Sequence, residues 1–296
     1  GWNAATGKAL KTTSYRYRNA SGQAFAEQFG TSPQQNSDWL ASRNRPQDQR
    51  VISLQASTFT WQVDTTPAGF DPLARPVKVS KFSSLGHTRT EATVYADHPA
   101  WWVMGQLASV SEPSPSRVIE SHSYDSKAQR TSSARFGLLV QSFTYNADGT
   151  LASVSDAAGQ VTRLSNHKRG KPQRVTHPDG ASESQVINNL GNADSRTNAV
   201  GGTTQFGYDA MGRVSMVVPP AGDAVAYHPT YQTFEQVGAL EYGLQPGHWR
   251  QTISTGNART VRYFDALWRE RLEARYDITR PSTTSSFEET RYDADG

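Results

Sequence analysis

Eight glycines between residues 143 and 222 fall on two interleaved ladders of one period. Gly149, Gly170, Gly191 and Gly212 stand 21 residues apart, and Gly159, Gly180, Gly201 and Gly222 keep the same spacing. The chain between them is cut into alternate steps of 10 and 11 residues, segments too short for typical helices and rich in Val, Thr, Phe, Tyr and Ser. The glycines close turn signatures such as Ala147-Asp148-Gly149, Pro178-Asp179-Gly180 and Pro220-Ala221-Gly222, where a positive φ is open to glycine at little cost. One β-hairpin per 21 residues follows. A chain with an internal period grows by stacking its units, which overrides the one or two globular domains that 296 residues would otherwise suggest.

The clearest copy of the unit reads Phe206-Gly207-Tyr208-Asp209-Ala210-Met211-Gly212-Arg213-Val214. Partial copies stand at Tyr145-Asn146-Ala147-Asp148-Gly149-Thr150-Leu151, at Tyr263-Phe264-Asp265-Ala266-Leu267-Trp268-Arg269, and at Tyr292-Asp293-Ala294-Asp295-Gly296. Asn166, Ile187 and Phe264 depart from the Tyr or Asp positions, and Trp268 stands where the turn glycine belongs. Phe70-Asp71-Pro72-Leu73-Ala74-Arg75 keeps the Asp and Arg at the same distance, and Tyr124-Asp125 restates the dipeptide. This pattern resembles the Tyr-Asp repeat of the RHS (rearrangement hotspot) family, over residues 143–222 and 261–296 and more loosely elsewhere. The resemblance implies β-hairpins coiled into a spiral sheet or hollow shell, in a bacterial chain that is secreted or held at the cell surface. In toxin members of the family the shell encloses a C-terminal effector of the same polypeptide, so the implied partner is the remainder of a longer chain. Glycine at position 1 and an end inside a Tyr-Asp turn fit such a piece.

The pattern divides the chain into an irregular β segment with degenerate repeats (1–122), regular hairpins (123–222), an insertion (223–260) and a return of the repeat (261–296). About fourteen hairpins would make roughly 28 strands, more than an open twisted sheet holds without coiling. The repeat columns place apolar and polar residues together, as Phe143, Leu164, Gln185 and Phe206 do, so the sequence assigns neither sheet face to an interior. Outside the ladder, Gly30 to Gln49 reads as a loop pinned by Trp39 and Leu40, Val51 to Val63 as one long strand, and Gln106 to Ser111 as another. An insertion into a repeat array is expected to project as loops.

Composition limits the chemistry. An apolar content of 35% and a mean hydropathy of −0.66 suit a thin two-faced sheet. No run of eighteen apolar residues is present, so no membrane-spanning segment is expected. The 30 basic residues, 23 Arg and 7 Lys, are spread singly against 27 acidic ones, which is a solvated face rather than a nucleic-acid stripe. The absence of cysteine excludes a disulfide framework and thiolate zinc sites. The histidines His87, His98, His122, His167, His177, His228 and His248 lack helix-facing metal spacing and read as surface turn residues, so no metal and no cofactor is expected. Neither a Gly-x-Ser-x-Gly elbow nor a phosphate-binding loop occurs. Asp223, Glu235, Glu241 and Asp265 could serve a glycosidase only by converging in space, and no catalytic residue is assigned.

The binding signal lies in the aromatics: Trp101 and Trp102, which on a strand would face opposite sides, and Tyr242 and Trp249 in the insertion. The turn glycines, with Tyr208, Asp209 and Arg213, are expected to be structural. The expected function is a non-enzymatic shell segment. A surface adhesion module binding glycan or protein stands as the alternative, and a carbohydrate-active enzyme behind it.

Overall fold

The computed structural model describes residues 2–3, 8–9, 11–27, 44–225 and 227–293. Trp2–Asn3 (β1) and Lys8–Ala9 (β2) form a separate two-stranded ribbon. The remainder is antiparallel sheet in two compact units, one of Gly1–Tyr145 with Val154–Gln160, the other of Asn146–Ser153 with Val161–Gly296.

The first unit runs through β3 (Lys11–Tyr17), β4 (Gln47–Leu54), β5 (Ser57–Val63), β6 (Lys78–Ser83), β7 (Thr88–Tyr95), β8 (Leu107–Pro113), β9 (Ser116–Tyr124), β10 (Arg130–Arg135) and β11 (Leu138–Tyr145). Each pairs antiparallel with its neighbour in sequence. The division between units falls inside β12 (Leu151–Asp156). The second unit continues with β13 (Val161–Ser165), β14 (Arg174–Thr176), β15 (Ser182–Ile187), β16 (Ala193–Thr197), β17 (Thr203–Tyr208), β18 (Val214–Val218), β19 (Thr230–Gln236), β20 (Trp249–Thr255), β21 (Ala258–Phe264) and β22 (Glu270–Asp277), then the one-turn helix α1 (Pro281–Thr284) and β23 (Ser286–Glu289). β13 to β23 again pair strictly in order. Within each unit the sheet is an open meander of hairpins, as the glycine ladder predicts.

Among the described residues, ten turns share one hydrogen-bond pattern. In residues 209–213 the Asp209 N–H donates to the Arg213 carbonyl and the Gly212 N–H to the Asp209 carbonyl, both at 2.9 Å. The fourth residue then takes a positive φ, +78° at Gly212. This is the three-residue hairpin loop closed by a bulge that the right-handed twist of paired strands favours. The same two bonds and the same φ recur at 71–75, 83–87, 125–129, 146–150, 156–160, 177–181, 188–192, 198–202 and 265–269. Six of the eight ladder glycines occupy that fourth position. Gly170 instead shares a two-residue turn with Arg169, both at positive φ, and Gly222 has a φ of +98° in the connection from β18 to β19.

Several expectations change. Val51 to Val63 is two strands rather than one, because Gln55 turns at a φ of +53° and Leu54 pairs with Ser57. Of the loop drawn from Gly30 to Gln49, Gln47–Gln49 already belong to β4, and Trp39 and Leu40 lie outside the described residues, as do Gly7, Asp295 and Gly296. The described residues hold 23 strands against roughly 28 expected for the whole chain; β3 to β11, six to nine residues long, use more chain per hairpin than the ladder does. Residues 223–260 are not loops alone. β19 pairs with β20 over seven residues and β20 with β21 over seven more, so the insertion adds strands to the sheet around the connection 237–248.

Burial is thin. Eleven apolar residues are buried among the described residues. In the first unit Phe25, Val63, Phe70 and Val79 form a small core, with the Phe25 and Phe70 rings edge-on at 5.4 Å. In the second, Val261, Tyr263 and Ala274 pack with Leu244, Leu272 and Tyr276. Strand alternation leaves apolar and polar groups on both faces, which is why no single layer of core residues could be read from the repeat columns.

Candidate functional site

The chemistry of the repeat motif is spent inside the turn. Asp209 accepts the N–H groups of Met211 and Arg213 on Oδ1, each at 2.9 Å, and the Arg213 Nε on Oδ2 at 2.6 Å. The backbone N–H of Arg213, with its guanidinium, holds the Asp209 carboxyl below the usual range. Arg213 then lies over the Phe234 ring at 4.7 Å. Tyr208 reaches the other way, donating its hydroxyl to the Ala193 carbonyl at 2.7 Å, one residue past the turn 188–192, which stands one hairpin earlier. Tyr145 does the same to Arg130, and Tyr292 to Glu270. The Tyr-Asp dipeptide therefore pins its own turn with one side chain and latches onto the previous turn with the other.

Degenerate copies keep these bonds. Asp71 chelates the N–H groups of Leu73 and Arg75, and Arg75 stacks on Tyr95 at 4.2 Å while gripping Asp97 through two bonds of 2.8 and 2.6 Å. The Arg75 guanidinium and the Gly105 N–H hold the Asp97 carboxyl down at about 2. Asp265 and Arg269 repeat the arrangement, with Arg269 over Tyr292 at 4.7 Å.

Of the four aromatics singled out for binding, Trp101 and Trp102 lie in the first unit and Tyr242 and Trp249 in the second. Trp101 and Trp102 are not on a strand. They end a one-turn 3-10 segment, Pro99–Trp101, in the connection from β7 to β8. Both stand out, at 60% and 84% exposure, and Trp102 has a φ of +54°. Pro99 sets this conformation by starting a helical turn, while Val103 and His98 bond to each other's backbone and close the loop. Tyr242 is exposed at the tip of a two-residue turn with Gly243, its ring edge-on to Tyr263 at 5.1 Å. Trp249 is half-buried at the start of β20, with Trp268 stacked on it at 5.1 Å and 23°.

The connection from β19 to β20, residues 237–248, folds back on the sheet face of Tyr263. Leu244 packs into the core there, and burial pushes the Tyr263 phenol up to about 12. Arg250 sits between Glu235 and Glu241 at 2.7 and 2.8 Å. Glu235, first, and then Glu241 raise the Arg250 pKa. The two carboxylates converge on a cation rather than on an open cleft, Asp265 is committed to its own turn, and Asp223 accepts the Ala224 N–H at 2.8 Å. The histidines are not all surface turn residues: His248 is 4% exposed, its Nδ1 2.9 Å from the Gln245 carbonyl and its Nε2 3.5 Å from Glu241. His122 is half-buried, with Ser133 Oγ at 3.0 Å.

Sequence reasoning missed the densest aromatic group. Phe234 and Trp268 are stacked, and Trp249 and Phe264 each lie within 6.4 Å of both by ring centroid. The visible signal was Trp268 itself, a bulky residue at a turn position otherwise held by Gly or Ala.

No family model matches the chain, and no curated protein matches it. Solved structures do. The crystal structure of TcdB2-TccC3 is similar at 11% identity and a TM-score of 0.39, over 83% of this chain and 15% of that one. TcdB2-TccC3 without its hypervariable C-terminal region is similar at 9% identity and a TM-score of 0.38, over 94% and 14%. The Photorhabdus luminescens Tc holotoxin pore is similar at 10% identity and a TM-score of 0.28, over 84% and 19%. The chain thus spans less than a fifth of the length of each of these structures.

Proposed function

We propose that this chain is a non-enzymatic wall segment of an RHS-type shell, secreted or at the cell surface, which encloses or displays an effector region of its own polypeptide. The observation that carries the reading is the repeated Tyr-Asp latch. Hairpins that pair only with their sequence neighbours, and bond turn to preceding turn through Tyr145, Tyr208 and Tyr292, extend a sheet without building a central core. Such a sheet suits a barrier. Limited trypsinolysis of the full natural polypeptide tests this, with fragments mapped by mass spectrometry. The region beyond the repeats should resist cleavage while the wall is intact and become susceptible in a Gly191→Val/Gly212→Val variant. Equal cleavage rates in both proteins would remove the enclosing role.

A second reading, a surface module that binds glycan or protein, is favoured by the exposed Trp101-Trp102 tip. Cell binding by the purified chain that disappears in Trp102→Ala would support it. Against an enzyme stands the neutralisation of Glu235 and Glu241 by Arg250, and no release of reducing sugar from polysaccharides is expected.

A further inference from the structure

We propose that the second unit carries a binding site for a pyranose oligosaccharide on the sheet face of β18, β19 and β20, floored by Trp268 and flanked by Arg213, Ser215, Gln232 and Gln251. The site is separate from the Trp101-Trp102 tip, and it does not depend on the shell reading.

Register puts most of these groups together. Gln232 and Phe234 are two residues apart on β19 and Phe234 pairs with Gln251, so Gln232, Phe234 and Gln251 point to one side of the sheet, while Ser215 sits at a bulge of β18. An open hollow of about 350 Å³ is lined by Asp209, Arg213, Ser215, Gln232 and Phe234 among others, and Trp268 and Gln251 adjoin it through their contacts with Phe234. Its volume is in the range of small-molecule sites. One end is aromatic. The Phe234 ring is stacked on Trp268 at 5.5 Å with 19° between planes, and Trp268 is stacked on Trp249, yet Trp268 keeps 53% of its surface open.

The polar groups are unspent. Ser215, Gln232 and Gln251 are half-buried, and their side chains make no hydrogen bond among the described residues. Half-buried amides and hydroxyls in a folded protein are ordinarily paired, with protein or with solvent. Arg213 gives its Nε to Asp209 and rests its plane on Phe234, which fixes the guanidinium while its Nη groups make no hydrogen bond among the described residues. A flat ring beside planar amide and guanidinium donors is complementary to a pyranose, whose C–H face is apolar and whose edge is a row of hydroxyls. A purely apolar partner would leave the three polar side chains unsatisfied, which costs about 1–3 kcal/mol for each group buried.

Trp268 also departs from what its turn wants. At a φ of +61° it occupies the position that glycine fills in seven of the ten equivalent turns, and an L side chain there is strained. The indole is held against a local preference, which points to a use outside the turn.

The strain supplies the test. Trp268→Gly removes the plate and restores the residue the turn favours, so the variant should unfold at the same temperature or higher. Cellohexaose, chitohexaose and maltohexaose serve as probes, titrated by calorimetry against the intact chain, Trp268→Gly, Gln232→Leu and Trp102→Ala. At least one probe should bind the intact chain at micromolar to millimolar strength. Affinity should fall about tenfold or more in Trp268→Gly and in Gln232→Leu, and stay unchanged in Trp102→Ala. No binding of any probe to the intact chain, or binding that survives in a stably folded Trp268→Gly, would overturn the proposal.

Discussion

A positive φ is required of the fourth residue in each five-residue turn, and the chain meets it with glycine seven times, alanine at Ala74 and Ala128, and tryptophan at Trp268. At Gly212 a Cβ would find only the Asn192 amide at 3.7 Å, so space is not the constraint; the backbone is. Gly212→Val is expected to lower stability by about 1–3 kcal/mol, read as a shift in the urea midpoint. Acid should act at a second set of residues. The Asp97 carboxyl is lowered from 3.8 to about 2, first by its bonds to Arg75 and then by the Gly105 N–H. A depressed carboxyl contributes stability above its ordinary value and loses it as the pH falls through the folded one. The thermal midpoint should therefore drop between about pH 4 and pH 2, and Asp97→Asn should flatten that drop. The Asp71 to Arg75 spacing was legible because Asp and Arg are chemically distinctive. The Asp97 grip was not, since its partner lies 22 residues back.

At the scale of the hairpin, the aspartate and the tyrosine of the motif do different work. Asp209 ties down two amides of its own loop, so Asp209→Ala should raise hydrogen exchange at Met211 and Arg213 before it loosens β17 and β18. Tyr208 ties the hairpin to the one before it. Tyr208→Phe should cost about 0.5–1.5 kcal/mol, and the loss should show at β16 as well as at β17. Where Phe264 stands in the tyrosine position the latch is absent, and the ring joins Phe234 and Trp268 instead. The sequence announced the period through glycine, since the turn permits little else cheaply. It could not announce the latch, because the acceptor is a backbone carbonyl, which every residue has. The insertion was misread for a related reason: β19 and β20 keep strand alternation but lack the turn signature, so they looked like departures from the array when they extend it.

At the scale of the molecule, each unit has a small cluster of its own among the described residues, one at Val63 and one at Val261. Stability should then be local. Val63→Ala is expected to speed hydrogen exchange in β5 and β6 while leaving β21 and β22 unchanged, and a uniform rise across the chain would argue for a single cooperative fold. The latch has an evolutionary consequence. Because Tyr208 recognises a carbonyl just past the preceding turn, and nothing about which residue supplies it, a gene that loses or duplicates one whole period still joins a tyrosine to an equivalent acceptor. Unequal recombination between copies would therefore yield chains of other lengths that fold by the same contacts, while an exchange out of step with the period would bring a tyrosine opposite no acceptor at all.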